Sequence, residues 1–389
     1  MAKEIRIPIP SQLNANEVPA KLGIPKLIEM EAHDWVAEKK HLAAFIKSRR
    51  FGDLHEIETE PPDIEWQIEG NDVVLSGSHS DSSEVDMYLQ SLAWNIGGAL
   101  DDWRKDLLFA EARTREARLA FLQAELLMLR ESAEPNGRPE TIDANPCGVE
   151  TKGADSVQQW HYDEGPWTYE YELPATNISP DLTALIPPWL ATFVGLFPDE
   201  VTPRLQNLWE PIRDPSVRLV ADWLLQLVPR SIYVGEQGYS ALIMDQPGSG
   251  NQPLPFGSSR RSVISLNSPA SMEPREGTPA ILAEFFQYFG GLSIGFPPGC
   301  HTFGTNLNLE QAVNYVPDSI CIPDQWREFV TFLRDGCGNM SIVDDNGNMG
   351  QFNHESSTKP FSSTGRSVAQ AIRDIPLRAE TFHLHFRSG

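Results

Sequence analysis

The sequence predicts an α+β fold, with a helix-rich N-terminal region carrying short hairpins over residues 1–265 and a C-terminal α+β domain over residues 266–389. Three observations carry this expectation. Proline is absent from Glu84 to Arg130, where Leu119, Leu122, Leu126 and Leu129 recur at spacings of three, four and three, as on a helix packed against another helix. From Met340 to Phe352, two short strand-forming runs flank Asn346-Gly347, which reads as strand, turn, strand. Between these regions, Asn267 to Pro279 is rich in proline and serine, and the domain boundary is placed at its start. A chain of 389 residues also exceeds what one core usually covers, and the first region leaves room for two subdomains.

In chain order, a helix is expected from Ile28 to about Arg50, with Trp35, Ala43, Ala44 and Ile46 on one face. Lys47, Arg49 and Arg50 suit its C-terminal end, where cations complement the helix dipole. Asp63 to Ser76 reads as a hairpin: Ile64, Trp66 and Ile68 alternate with polar neighbours, Glu69 to Asp72 turns, and Val73 to Leu75 returns. The long helical pattern is expected to divide or kink at Gly97-Gly98. Arg113, Arg115 and Arg118, interleaved with Glu111 and Glu116, read as a solvated face. From Glu131 to Pro180 a long loop or a few short strands carry an aromatic group, Trp160, His161, Tyr162, Trp167, Tyr169 and Tyr171.

Helices resume from Asp181 to Leu227, with Trp189, Trp209 and Trp223 as core anchors, and Ser231–Val234 and Ala241–Met244 read as strands. Leu182 to Pro198 carries no charge, but Pro187-Pro188 interrupts it. It is read as a buried helix starting near Pro188, with Trp189, Phe193, Leu196 and Phe197 facing a core, and not as a membrane span.

Of the chain's 31 basic and 54 acidic residues, 8 and 13 lie from Ser271 onward, so most of the net charge of −23 is N-terminal. This balance opposes direct binding to nucleic acid or anionic membranes and suits a basic protein partner. Cys147, Cys300, Cys321 and Cys337 are scattered and form no CxxC pair, which fits reduced thiols in a cytoplasm. The opening residues, MAKEIRIPIP, do not read as a signal peptide.

No cofactor, metal or catalytic residue is expected. His161-Tyr162-Asp163 has the HxD form of a non-haem iron site, but the next histidine is His301, across the expected boundary. Asp344, Asn346, Asn348 and Glu355 fall at positions 1, 3, 5 and 12 of a calcium loop, yet position 6 is Met349 where the sharp turn requires glycine. Cys337 with His354 is a pair that chance supplies in most proteins. GxxxxGK[ST] and GxGxxG are both absent.

The C-terminal region has an ordered set of features. A helix from Ile281 to Phe289 closes on Gly290-Gly291. Trp326 to Val330 follows, then Asp335-Gly336-Cys337-Gly338-Asn339, then the Met340–Val343 strand, the Asn346-Gly347 turn, and Gln351-Phe352-Asn353-His354-Glu355. A closing helix runs from about Ser367 to Ile375. Taken together, residues 271–380 resemble the SUKH superfamily, the group of Smi/Knr-like regulators that includes many bacterial immunity proteins. Gly290, Gly291, Trp326, Asp335, Gly336, Gly338, Asn339, Asn346 and Gly347 carry the likeness. Pro297-Pro298 and the scarcity of strand formers from Ser293 to Asn314 depart from it, and the first 270 residues have no counterpart.

The resemblance implies a twisted antiparallel sheet flanked by helices and a binding role, the occlusion of a cognate toxin. A nucleic-acid-targeting toxin would present a basic cleft, which carboxylates complement. Asp344, Asp345, Glu355, Asp163 and Glu164 are then the candidate partner contacts. The rival expectations are a regulatory scaffold with a SUKH-like docking module, and an enzyme in the first 265 residues fused to a binding module. The sequence leaves the oligomeric state open.

Overall fold

Strict alternation shapes the N-terminal sheet. In β2 (Ile64–Glu69) the residues Ile64, Trp66 and Ile68 are half-buried and those between them exposed. β3 (Asp72–Gly77) returns antiparallel after a two-residue turn in which Gly70 has φ +62°. β1 (Lys3–Pro8) pairs with the other side of β3, giving the order β1-β3-β2. The helices α1 (Val18–Leu22), α2 (Ile24–Ser48) and α3 (Ser83–Ala110) accompany this sheet. Ile7, Val18, Ile24, Val73, Leu75, Leu89, Leu92 and Ile96 form their common core. The structure, a computed structural model, describes residues 3–48, 60–77, 83–132, 149–150, 157–160, 168–235, 240–245, 263–267, 278–289, 292–294, 301–303, 330–335, 339–353 and 361–387.

The long helical pattern breaks after Ala110, not at Gly97-Gly98. α4 (Arg115–Ser132) starts where Thr114 Oγ1 accepts a hydrogen bond from Ala117 N at 3.2 Å. Glycine costs a helix interior only about 1 kcal/mol relative to alanine. The packing of α3 on β1 and β3 outweighs that, with Leu92, Ile96 and Leu100 on its buried side.

The other strands form one sheet of twelve among the described residues, and each strand is antiparallel to its neighbour in sequence. They are β4 (Val149–Glu150), β5 (Val157–Trp160), β6 (Thr168–Glu172), β7 (Val228–Gly235), β8 (Ser240–Asp245) and β9 (Val263–Asn267), then β10 (Leu292–Ile294), β11 (His301–Phe303), β12 (Val330–Asp335), β13 (Met340–Val343), β14 (Asn348–Phe352) and β15 (Phe361–Ser367). Helices α5 (Pro180–Thr183), α6 (Pro188–Ala191), α7 (Pro198–Trp209) and α8 (Pro215–Leu224) lie in the chain between β6 and β7. α9 (Ala280–Phe289) lies between β9 and β10, and α10 (Val368–Arg373) and α11 (Ile375–Arg387) follow β15. The α+β class is therefore as the sequence predicts, with antiparallel sheets.

Trp209 and Trp223 are buried. Trp189 is half-buried, edge-on to Phe193 with ring centroids 5.8 Å apart. The expected helix from Pro188 is shorter than its apolar run. Gly195, with φ +79°, turns the chain, and Phe197 then stands just before α7, 56% exposed instead of facing the core.

Phe285 on α9 packs against Phe286, Phe289 and Phe332, and Trp209 on α7 reaches Phe289 with ring centroids 5.3 Å apart. Glu284 on α9 accepts hydrogen bonds from Arg213 N (2.7 Å) and Asp214 N (2.9 Å) at the start of α8. The expected boundary after residue 265 falls inside β9, which is hydrogen-bonded to β8 on one side and β10 on the other. One apolar core extends from Leu122 to Ala379 across it.

Candidate functional site

The hairpin β13–β14 is held by the register Met340↔Phe352, Ser341↔Gln351 and Val343↔Met349. Its turn differs from the two-residue Asn-Gly connection the sequence suggests. Gly347 N donates to Asp344 O (3.1 Å), Asp344 N donates to Asn348 O (3.0 Å), and Gly347 is left-handed, with φ +79°. This is a three-residue loop ending in a glycine bulge.

The Asp344 carboxylate accepts from Asn346 N (3.0 Å), Asn348 N (2.7 Å) and Asn348 Nδ2 (2.8 Å), so it shapes the turn. Asp345 and Asn346 are exposed at the tip. Gly347 is buried, and its carbonyl accepts from Val368 N (2.9 Å), tying the tip to the first residue of α10. Ser367 and Gln370 cap that helix reciprocally.

Asp335 ends β12 opposite His301, and Asn339 is half-buried just before β13. Gly290, Gly291, Trp326, Gly336, Gly338, Glu355, Asp163 and Glu164 lie outside the described residues. The structure thus brings Asp344, Asp345, Asn346 and Gly347 together at one tip, with Asn339 at the other end of the same hairpin.

Beside the hairpin lies a cleft with about 540 Å³ of space, its open mouth included. Register places Leu333, Ser341 and Gln351 in one row across β12, β13 and β14, and all three line the cleft. Met340, Met349 and Thr364 add to the lining, with Arg366 and Arg378. Arg366 forks onto Asp102, through Nε at 2.8 Å and Nη2 at 3.0 Å, and Nη2 also reaches Asp374 at 2.6 Å. Arg378, on α11, pairs with no carboxylate among the described residues. Burial depresses its pKa, repulsion from Arg366 adds to the effect, and Asp374 opposes it.

Behind Arg366 runs a seam of charges joining α3 and α4 to the end of the chain. Arg104 pairs with Glu125 through two bonds of 2.9 Å and with Asp101 at 2.8 Å. Lys105 pairs with Asp101 at 2.8 Å and lies 3.9 Å from Asp374. Asp106 accepts from Arg373, and from Gln370 at 3.1 Å, while Arg130 meets Glu380 at 2.7 Å. Burial raises the Asp102 pKa, Asp374 reinforces that, and Arg366 works against it. Burial also acts to raise the Asp101 pKa, but Lys105 and Arg104 outweigh it and the pKa falls.

Arg118 corrects one expectation. Instead of sharing a solvated face, it donates to the buried Asp222 on α8 at 2.7–2.8 Å, with Arg115 3.7 Å from the same carboxylate. A buried carboxylate on a largely buried helix demands a cation, and α4 supplies it. The sequence reading missed the seam and Arg378. The available signal was the dense charge of Asp101 to Asp106 set against Arg366, Arg373 and Arg378, three of the 8 basic residues from Ser271 onward.

Among the described residues, no helix is long and apolar enough to cross a membrane, and no group of His, Cys, Asp and Glu is arranged to hold a metal ion. No protein-family model, curated protein or solved structure matches the chain.

Proposed function

We propose that this is a cytoplasmic immunity protein, a non-enzymatic binding protein that neutralises a cognate toxin by covering a basic surface on it. The rigid hairpin tip carries the reading. Asp344 is consumed in holding the turn and Gly347 is tied to α10, so Asp345 is offered to a partner on a preorganised support. Two further observations support it: the SUKH-like order of helix, strands, glycine-closed hairpin and closing helix, and the net charge of −23. A partner that normally binds nucleic acid offers the complementary potential, and acidic charge on this side speeds encounter with it.

The test is co-expression with a toxin encoded beside the gene. The expected result is restored growth and a complex that survives purification, with Asp345→Lys lowering the association rate. Unchanged toxicity together with no co-purified complex overturns the proposal.

A second reading, a regulatory scaffold, is favoured by one observation. Met87 and Trp94, seven residues apart on α3, are 59% and 82% exposed, and Leu127 and Met128 on α4 are also exposed. Apolar groups at that spacing share a helix face, as on a docking helix. A partner captured by the wild type and lost with Trp94→Ser, while toxin protection stays intact, separates this reading from the first.

A further inference from the structure

We propose that the cleft between β12–β15 and α11 binds a small organic anion, a monocarboxylate with a short apolar tail, whose charge is met by the Arg378 guanidinium. Charge bookkeeping across the wall points there. Arg104, Lys105, Arg118, Arg366 and Arg373 each face a carboxylate, in pairs that the structure shows directly. Arg378 sits one helical turn from Asp374 yet has no ion pair among the described residues, in a chain with 54 carboxylate side chains and 31 cationic ones. A partly enclosed guanidinium without a counterion is costly, and an anion in the cleft removes that cost.

The lining selects the kind of anion. A guanidinium presents a planar fork that matches a carboxylate through two parallel hydrogen bonds. The Ser341 hydroxyl and the Gln351 amide lie in one row on the floor and add neutral donors. The Thr364 hydroxyl is already used, donating to Met349 O at 2.9 Å. Leu333 and Met349, on the same sheet face as Ser341 and Gln351, supply an apolar surface for a tail, and methionine adapts its shape to one. Arg366 is already met by Asp102 and Asp374, which leaves a single uncompensated positive charge on the lining among the described residues. That charge matches a monoanion better than phosphate. The site is separate from the exposed hairpin tip, so the inference does not depend on the toxin-binding reading.

The experiment titrates sodium butanoate, and separately inorganic phosphate, into the full chain at constant ionic strength with chloride as the balancing anion. Binding is followed by ligand-observed NMR. Butanoate is expected to saturate one site, and Arg378→Gln to weaken it by at least about tenfold, the loss typical of a charge-assisted hydrogen bond. Equal butanoate affinity in wild type and Arg378→Gln overturns the proposal, as does saturation by phosphate without saturation by butanoate, or no saturable binding of either. Should Arg378→Gln fail to fold, the double variant Ser341→Ala, Gln351→Leu reads the same site. A loss of about threefold or more supports the assignment, at roughly one neutral hydrogen bond, and unchanged affinity overturns it.

Discussion

Arg366 and Arg378 line the same cleft from adjoining elements, and the protein treats them differently. Arg366 is gripped by Asp102, with Asp374 as a second acceptor, in a seam where α3 and α4 meet the end of the chain. Arg378 projects from α11 with no such grip among the described residues. Compensated charges here join segments that lie far apart in sequence: the Asp102–Arg366 pair spans 264 residues. An uncompensated one is available to a ligand. Removing groups from each side measures the difference.

The largest effect is expected at Asp102. Asp102→Ala leaves Arg366 enclosed with one acceptor and should cost about 3 kcal/mol, within the range for breaking a buried pair. Urea denaturation checks it, and adding Arg366→Met should restore part of the loss, because the stranded charge goes with it.

At the hairpin, Gly347→Ala places a side chain at φ +79° with its Cβ 3.4 Å from Val368 Cγ1. A loss of about 2 kcal/mol follows, read from the same denaturation midpoint. Asp344→Ala removes three hydrogen bonds at a solvent-accessible turn and should cost about 1 kcal/mol. Loss of amide protection at Asn346 and Asn348 in hydrogen exchange would localise that effect.

Asp245 tests whether having a cationic partner is sufficient. Arg230 donates to it at 2.9 Å, yet burial, with Glu170 and Glu172 nearby, pushes its pKa up to about 6. A carboxylate raised in the folded state contributes stability that is fully present below its unfolded pKa and is lost as pH rises through the folded one. Relative to Asp245→Asn, the wild type should therefore gain stability as pH falls from about 7 to about 4. A difference that stays flat across that window, in denaturant midpoints, contradicts the assignment.

The smallest effect is expected at Arg378. With no carboxylate partner to strand among the described residues and an uncompensated charge removed, Arg378→Gln should not lower unfolding stability and should leave it equal or raised by about 0.5 kcal/mol. A loss comparable to that of Asp102→Ala would show that Arg378 belongs to the seam.

Much of the fold was legible because it is written locally. Ile64, Trp66 and Ile68 alternate and Gly70 follows them, so the first hairpin could be placed without tertiary information. The helix 281–289, the strands at 231–234 and 241–244, and the hairpin around Asn346-Gly347 stand where their patterns put them. Gly97-Gly98 misled, because glycine is a weak local signal that packing on β1 and β3 overrides. The expected boundary near residue 265 falls within β9, which pairs with β8 and β10, since loop-like sequence beside a strand does not prevent that strand from joining a continuous sheet. Of the candidate site, the turn and its acidic tip were readable. The seam was not, since Asp102 and Arg366 carry no pattern that names the other.

By itself, then, the sequence determined the α+β class, the positions of most helices and hairpins, the glycine-shaped turn at Asp344–Asn348 and the acidic charge of −23. Those properties depend on residues a few positions apart, or on composition alone. Only the tertiary structure decided that one core crosses residue 265, that Asp344 is consumed in its own turn while Asp345 is exposed, and that, among the described residues, Arg366 is neutralised while Arg378 is not. The physical reason is that charge compensation is settled by distances of a few ångströms between groups that chain order leaves far apart, and folding is what sets those distances.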